Sequence, residues 1–368
     1  MAAGPDAGAV VPALHVRAVV LPEGDLRDLY VADGVITSER RPAAMTLGTG
    51  FVLPGLVDAH CHVGLDSGGA VDEATAQAQA VADRDAGALL LRDAGSAADT
   101  RWMDQRADMP RMIRAGRHIA RPKRYIRNFA AEVEPSALVA EVRTQARRGD
   151  GWVKIVGDWI DRRTGDLSPL WPTDVLTLAI AAAHEEGARV TAHTFSEDAV
   201  AQLVAAGIDG IEHGTGIDDA VIEQMAARQV ALVPTRLQIE NYLGYADQGE
   251  AKFPVYAKHM RALYSRADTT LRRAHDAGVP IYAGTDAGGM LPHGLIAAEL
   301  HALVGKVGLS TTDALAATSW GARAWLGMPD RLVEGAPADF VLYDDDPRRD
   351  TRVVAAPKRV VLRGVVVR

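Results

Sequence analysis

Two histidines spaced two residues apart, His60 and His62, lie at the end of an apolar run that begins at Phe51. In an extended strand, residues i and i+2 point to the same face, so both imidazole rings can reach one point in space. Imidazole nitrogen is a common ligand of divalent metal ions such as zinc. The spacing therefore predicts a metal site at the end of this strand, with two incidental polar residues in a loop as the alternative.

Further groups with metal-binding or catalytic chemistry lie on or at the ends of later apolar runs. They are Lys154, His193, His213 after Glu212, and Asp286 within a Gly-Thr-Asp-Ala-Gly segment. Taken alone, a histidine such as His193 or His213 is more often a hydrogen-bonded core residue. Because five runs carry such groups at matching places, the pattern indicates one shared site.

The elements that must position these residues alternate along the chain from Gly55 to about Leu326. Eight short apolar runs alternate with helical patterns, several of which end on glycine. This alternation predicts an α/β fold, a (β/α)8 TIM-type barrel with its functional residues at the C-terminal ends of the strands. The predicted strands are 56–60, 88–92, 111–115, 152–156, 189–193, 210–213, 230–233 and 280–284, and helical patterns cover 136–148, 173–186, 197–206, 218–228, 256–277 and 311–326.

Short β patterns flank the barrel on both sides. They cover 14–21, 29–36 and 44–47 before it and 340–343 and 359–367 after it, and Asp33-Gly34 is typical of a hairpin turn. Neither end alone has enough strands to bury a face. We therefore predict that residues 1–54 and 327–368 form one small discontinuous β-sandwich domain, that residues 55–326 form the barrel, and that residues 1–11 are a loop.

Composition narrows the partners and the compartment. The chain has 368 residues and a net charge of −8, with only short basic runs, which argues against nucleic-acid binding. It has no apolar run long enough to span a membrane and no signal-peptide pattern at its start. The single cysteine, Cys61, is expected to turn away from the metal as a small buried hydrophobe. We expect a cytoplasmic enzyme.

The segments 190–197, 206–215 and 283–288, together with the tail 330–347, resemble the amidohydrolase superfamily of metal-dependent hydrolases. The likeness covers almost the whole chain and is to the imidazolonepropionase-related and Xaa-Pro dipeptidase-like branch. It implies two divalent metal ions, for which zinc suits the ligands. One ion would be held by His60, His62 and Asp286, and the other by His193 and His213.

The resemblance also implies that Lys154 bridges the two ions as an N-carboxylated lysine. Reaction with CO2 converts a cationic ammonium into an anionic carbamate, whose two oxygens can span two ions. An ordinary buried or salt-bridged lysine beside a single metal ion is the alternative. The implied reaction is hydrolysis of a C–N amide-type bond by a metal-bridged hydroxide, with Asp286 as the general base.

The substrate should be a dipeptide, an N-acyl amino acid or a similar small amide, bound by loops at the strand ends. Candidate binding residues are Tyr125, Arg127, Arg236, Tyr242 and His293, and His118 or Tyr125 is a candidate to stabilise the oxyanion. Arg236 suits a substrate carboxylate, with a salt bridge as an equal alternative. The stretch 238–253 is either a mobile lid or a surface loop.

Three other functions are compatible with parts of this pattern. A cyclic amidase or lactonase of the same fold would use the same ligands. A mononuclear deaminase would lack the bridging lysine, so Lys154 argues against it. A non-catalytic binding barrel is disfavoured because the whole ligand set is intact. We expect a small-molecule amide substrate, no nucleic-acid or membrane partner, and a homo-oligomer as an open possibility.

Overall fold

Strands and helices alternate through residues 12–368, which this structure, a computed structural model, describes; the predicted loop at residues 1–11 lies outside them. The strands are β1 (Leu14–Val20), β2 (Asp25–Ala32), β3 (Val35–Thr37), β4 (Met45–Pro54), β5 (Leu56–Cys61), β6 (Leu65–Asp66), β7 (Gly69–Ala70), β8 (Ala88–Asp93), β9 (Arg111–Arg114), β10 (Ile119–Ala120), β11 (Ala131–Glu132), β12 (Trp152–Val156), β13 (Asp158–Asp161), β14 (Asp166–Pro169), β15 (Arg189–Thr194), β16 (Gly210–His213), β17 (Ala231–Val233), β18 (Phe340–Tyr343), β19 (Arg359–Leu362) and β20 (Val365–Val366). The α-helices are α1 (Glu73–Asp85), α2 (Leu138–Arg148), α3 (Thr173–Glu185), α4 (Glu197–Ala205), α5 (Asp219–Arg228), α6 (Arg236–Ile239), α7 (Tyr242–Gly249), α8 (Pro254–Asp276), α9 (Ile296–Ala302), α10 (Thr311–Thr318) and α11 (Trp320–Trp325).

The two ends of the chain meet in one seven-stranded sheet, in the order β20-β19-β18-β4-β1-β2-β3. The C-terminal strand β18 joins it by pairing antiparallel with β4. Alternating apolar residues from both ends, such as Val16, Phe340 and Val361, bury a small separate core on this sheet. The joint sheet confirms that the ends pair. The finer predictions of a sandwich and of domain boundaries at residues 54 and 327 stay predictions.

Two tight hairpins shape this sheet. Asp33 and Gly34 connect β2 to β3 with φ angles of +51° and +79°, as the sequence predicted. The single strand predicted over 359–367 is wrong, because Arg363 and Gly364 form a second hairpin between β19 and β20 with φ angles of +50° and +78°. Positive φ at both central residues is the geometry that two-residue hairpins favour.

Parallel strands form a TIM-type barrel between the two halves of this sheet. Seven of the eight predicted barrel strands are confirmed as β5, β8, β9, β12, β15, β16 and β17, with ends that differ by at most one residue. The third and fourth strands are joined where the Asp150 N–H donates to the Arg114 carbonyl at 2.8 Å and where β10 pairs with β12. Most residues of the barrel strands are buried and apolar, with buried polar exceptions such as Asp58, Arg92 and Thr191.

The eighth predicted strand, 280–284, is not a regular strand. Pro280 has no N–H to donate, and a Cβ on Gly284 would lie 2.6 Å from the Cβ of His60. Isolated hydrogen bonds still close the barrel between β17 and β5, among them Ala59 N–H to Ala283 O at 2.8 Å and Asp286 N–H to His60 O at 2.7 Å. The irregular segment thereby places Asp286 beside His60.

Two predictions about segments that are helical in the structure also need correction, one of a single helix and one of a lid or surface loop. The single helix predicted over 311–326 is divided into α10 and α11 at Ser319, whose hydroxyl donates to Pro54 O at 2.6 Å. The stretch 238–253 is largely helical, since α7 occupies Tyr242–Gly249, so it is not a simple surface loop. None of the helices in the described part of the chain is long and apolar enough to cross a membrane.

Candidate active site

His60, His62 and Asp286 meet at the C-terminal end of β5. The Nε2 atoms of the two histidines lie 3.1 Å apart. The Asp286 Oδ1 atom lies 3.1 Å from the first and 3.0 Å from the second. Both rings are buried. Asp286 has a φ of +58°, a left-handed conformation that turns its carboxylate towards the rings.

The outer nitrogens of these rings determine which atoms face the site. His62 Nδ1 donates to Gly95 O at 2.8 Å, and His60 Nδ1 donates to Glu212 Oε2 at 2.7 Å. Because a carbonyl and a carboxylate only accept, both Nδ1 atoms carry protons, and in the neutral rings both Nε2 atoms present lone pairs. Two lone pairs at 3.1 Å repel each other unless a proton or a metal ion lies between them. The donor set therefore fits a divalent ion.

A second nitrogen pair lies across the barrel on β15 and β16. His193 Nδ1 is 3.0 Å from His213 Nε2. His213 Nδ1 donates to the Thr235 hydroxyl at 2.7 Å, and that hydroxyl donates to Pro234 O at 2.8 Å. Burial lowers the pKa of His213 to about 3 and that of His193 well below its usual range. Both rings are therefore neutral at physiological pH, the form that binds metal ions.

Lys154 lies in the middle of β12 and is 1% exposed. Among the described residues, no carboxylate oxygen lies within 4.0 Å of its Nζ atom. Burial lowers the pKa of Lys154 to about 8, against the opposing charges of Glu212 and Asp286. About a tenth of this amine is therefore neutral near pH 7, far more than of an exposed lysine, and only the neutral amine reacts with CO2.

A cavity of about 440 Å³ opens above these residues, with His62, His193 and Asp286 among those that line it. Most of its wall is apolar, and Lys252 is the one lysine or arginine among its lining residues in the described chain. Aromatic side chains dominate the wall, among them Tyr125, Phe129, Trp159, Tyr245, Phe253 and Tyr256. The cavity therefore suits a ring or another bulky apolar group.

The structure brings one of the five substrate-binding candidates, Tyr125, to the cavity. The assignments of Arg236, Tyr242 and His293 are corrected, because each is engaged elsewhere. Arg236 is paired with Asp268 at 3.1 Å and Glu240 at 2.8 Å, which corresponds to the salt-bridge alternative. The Tyr242 hydroxyl lies 3.4 Å from Thr215 Oγ1, and His293 Nδ1 lies 2.7 Å from Asp83 Oδ2.

Sequence reasoning missed most of the cavity wall, including Trp159 and Lys252. Trp159 lies on the β13–β14 hairpin, which follows β12 and was not predicted. Lys252 was inside the stretch 238–253, yet nothing in the periodicity distinguished it. Cys61 is fully buried, as predicted. His118 is also buried, with its ring centroid 4.9 Å from that of His62. Arg127 is exposed and does not line the cavity.

Comparison with known proteins identifies a family whose model matches most of this chain. The model of the amidohydrolase family matches residues 51–367. The uncharacterized protein Rv2915c of Mycobacterium tuberculosis is 54% identical over 353 residues, 95% of each chain. Ochratoxinase of Aspergillus niger is 29% identical over 228 residues, which is 60% of this chain and 46% of that one.

Solved structures show the same fold at low sequence identity. A Xaa-Pro dipeptidase with bound methionine superposes with a TM-score of 0.81 at 19% identity, covering 96% of this chain and 99% of the other. The crystal structure of A. niger ochratoxinase superposes with a TM-score of 0.77 at 22% identity, covering 96% and 95%. The family match covers the barrel, the end of β4 and the C-terminal strands of the terminal sheet. The chain therefore belongs to the amidohydrolase family of hydrolases.

Proposed function

We propose that this chain is a metal-dependent hydrolase that cleaves the C–N amide bond of a dipeptide, an N-acyl amino acid or a similar small amide. The observation that carries the proposal is the pair of facing nitrogen couples, His60 with His62 and His193 with His213. As two neutral rings, His60 and His62 set two lone pairs against each other, so this couple calls for a cation. In the other couple His193 Nδ1–H can donate to His213 Nε2, and both neutral imidazoles are in the form that binds metal ions. Membership in the amidohydrolase family supports the same reaction class.

The residues would divide between two divalent ions, for which zinc suits the nitrogen and carboxylate ligands. His60, His62 and Asp286 would hold one ion, His193 and His213 the other, and carboxylated Lys154 would bridge them. When bound, the ions supply an activated water as the nucleophile and polarise the scissile carbonyl. The pKa of Lys154, which burial lowers to about 8, and the lack of a carboxylate partner among the described residues support the carboxylation.

Asp286 is proposed to take a proton from the attacking water and to give it to the leaving amine. Burial raises the pKa of its carboxyl, but the nearby imidazoles of His60 and His62 outweigh burial and hold that pKa well below its usual range. The carboxylate is therefore ionised and able to take a proton from the attacking water, and it lines the cavity where the leaving amine must receive that proton.

Tyr125 is proposed to stabilise the carbonyl oxygen as negative charge develops on it. Its side chain lines the cavity, and its ring centroid lies 5.4 Å from that of His193. Burial raises the pKa of Tyr125 well above its usual range, so the hydroxyl keeps its proton and can donate it in a hydrogen bond. His118 packs beside Tyr125 at 5.3 Å between ring centroids and stays a second candidate.

The cavity supports a more specific substrate description. Its aromatic wall suits an apolar acyl group or side chain, and Lys252 takes the role that the sequence suggested for Arg236, that of a cation for a substrate carboxylate. The names of two structural neighbours, Xaa-Pro dipeptidase and ochratoxinase, support an amide-type substrate. Cytoplasmic location and homo-oligomer formation stay predictions.

The test is hydrolysis of a panel of N-acyl amino acids and dipeptides by protein loaded with zinc and bicarbonate, compared with chelated protein. Free amino acid should appear only with the metal. Asp286→Asn should lower kcat by about 10²–10⁴-fold, whereas the surface variant Asp247→Asn should leave it unchanged. Release of ammonia in place of an amino acid would favour the deaminase, and no metal-dependent turnover of any amide would overturn the proposal.

A further inference from the structure

Glu212 is a fully buried carboxylate that immediately precedes the metal-ligand candidate His213. Its Oε2 atom accepts from His60 Nδ1 at 2.7 Å. Its Oε1 atom accepts from Arg92 Nη2 at 2.5 Å and from the Thr191 hydroxyl. Glu212 does not line the cavity, so its contacts are with the support of the site and not with substrate.

Arg92 donates to the Glu212 oxygen that His60 does not contact. Its guanidinium packs against two indole rings, 4.6 Å from the Trp152 centroid and 5.0 Å from the Trp325 centroid. Its Nε atom donates to Ala59 O at 2.7 Å, on the residue directly before His60. Arg92 therefore ties the backbone of β5 and the carboxylate of Glu212 to one rigid aromatic support.

His60 differs from the other histidines of the site in the acceptor that its outer ring nitrogen contacts. His62 donates its outer proton to a neutral carbonyl, and His213 donates to a neutral hydroxyl. Within the described chain, the outer nitrogen of His193 has no hydrogen-bond partner. A carboxylate acceptor orients an imidazole more strongly than a neutral one and makes its inner nitrogen a better donor to a metal ion.

We propose that Glu212 is a positioning residue that holds His60 as the Nδ1–H tautomer, with Nε2 directed at the ion shared with His62 and Asp286. The inference rests on the metal site of the proposed function. It predicts an asymmetric centre, in which the ion bound by His60 depends on Glu212 and the ion bound by His193 and His213 does not.

The experiment measures zinc stoichiometry and affinity by competition with a chelator, for wild type and Glu212→Gln. We expect one of two zinc ions to bind about 10- to 100-fold more weakly in the variant, with the other unchanged. The control is Asp339→Asn, another buried carboxylate, which bonds Arg111 Nε and the Arg363 N–H at 2.6 and 2.7 Å, with no histidine among these partners. Asp339→Asn should bind both ions as wild type does.

Loss of Glu212 alone leaves Arg92 buried without its anion, which can destabilise the fold strongly. The double variant Arg92→Met, Glu212→Leu removes both charges and keeps an apolar filling, and it should show the same selective loss of zinc. Nitrogen NMR of zinc-loaded wild type needs no substitution and should show a proton on His60 Nδ1.

The outcomes separate the two proposals. Equal zinc affinity in folded Glu212 variants, or a proton on His60 Nε2, would overturn the positioning role and leave the proposed function intact. Wild-type protein that binds no zinc at all would overturn the proposed metal site and the positioning role with it.

Discussion

The Nε2 atoms of His60 and His62 face each other at 3.1 Å, each with its lone pair directed at the other. Binding of a divalent ion relieves this repulsion in the folded state only. Zinc at a hundredfold excess over its Kd should therefore raise the free energy of unfolding by about 2.7 kcal/mol. Thermal melts with zinc and with a chelator measure the effect. His62→Asn should reduce the response and His301→Gln should preserve it, whereas an equal response in both would contradict the assignment.

Replacement of Lys154 should change the metal content. Its amine is buried and partly neutral, which suits it to carry a carbamate bridge. Elemental analysis of protein prepared with bicarbonate should find two ions per chain in wild type and one or none in Lys154→Ala. Lys252→Ala, which removes an exposed lysine, should keep two. One ion in all three proteins would contradict the bridge and favour a mononuclear site.

Lys252 should affect substrate binding more than turnover. Because it is the cation at the cavity wall, Lys252→Ala should raise KM for N-acyl amino acids by about tenfold, the loss of roughly 1.4 kcal/mol of binding, with little change in kcat. The same substrates with a carboxamide in place of the carboxylate should show no such effect. Arg261→Ala is the matched control, since it removes an exposed cation that is paired with Asp247 at 2.8 Å. Equal losses on acid and amide substrates would count against a carboxylate contact.

His259 should make stability depend on pH. It joins α8 to β14 and α4 through Asp166 and Glu197, each at 2.9 Å, and the hydrogen bond to Glu197 is the largest factor that raises its pKa to about 9 from 6.5. Because the folded pKa is the higher one, the contribution is complete below about pH 6.5 and is lost as pH rises through about 9. Urea denaturation should show His259→Gln less stable than wild type by on the order of 1–2 kcal/mol near pH 6, with a much smaller difference near pH 10. A difference that is constant with pH would contradict the ion pair.

The strand ends explain why sequence reasoning succeeded for the centre of the site. His60, His62, His193 and His213 belong to or directly follow strands that are short, apolar and bounded by turns, and parallel strands in a barrel have their C-terminal ends at one rim. Local patterns of that kind determine both the element and the face that a side chain occupies. The structure accordingly brings these four histidines close together, and their role as metal ligands stays a prediction.

The same reasoning failed where position depends on contacts between distant segments. Arg236 was a reasonable cation for a substrate, but Asp268 and Glu240 neutralise it in the folded chain. Lys252 resembled any surface lysine until the turn between α7 and α8 placed it on the cavity wall. No periodicity encodes such pairings, because each partner is selected by the packing of whole helices.

What the sequence by itself determined is the barrel, the union of the chain ends in one sheet and the identity of the candidate metal ligands, since these follow from strand periodicity and from residue type. Only the tertiary structure decided which protons the ligands carry. The tautomer of His60 depends on Glu212, 152 residues away, and on Arg92 behind it. Such hydrogen bonds exist only once the barrel has closed, because closure excludes the water that would otherwise satisfy the same groups.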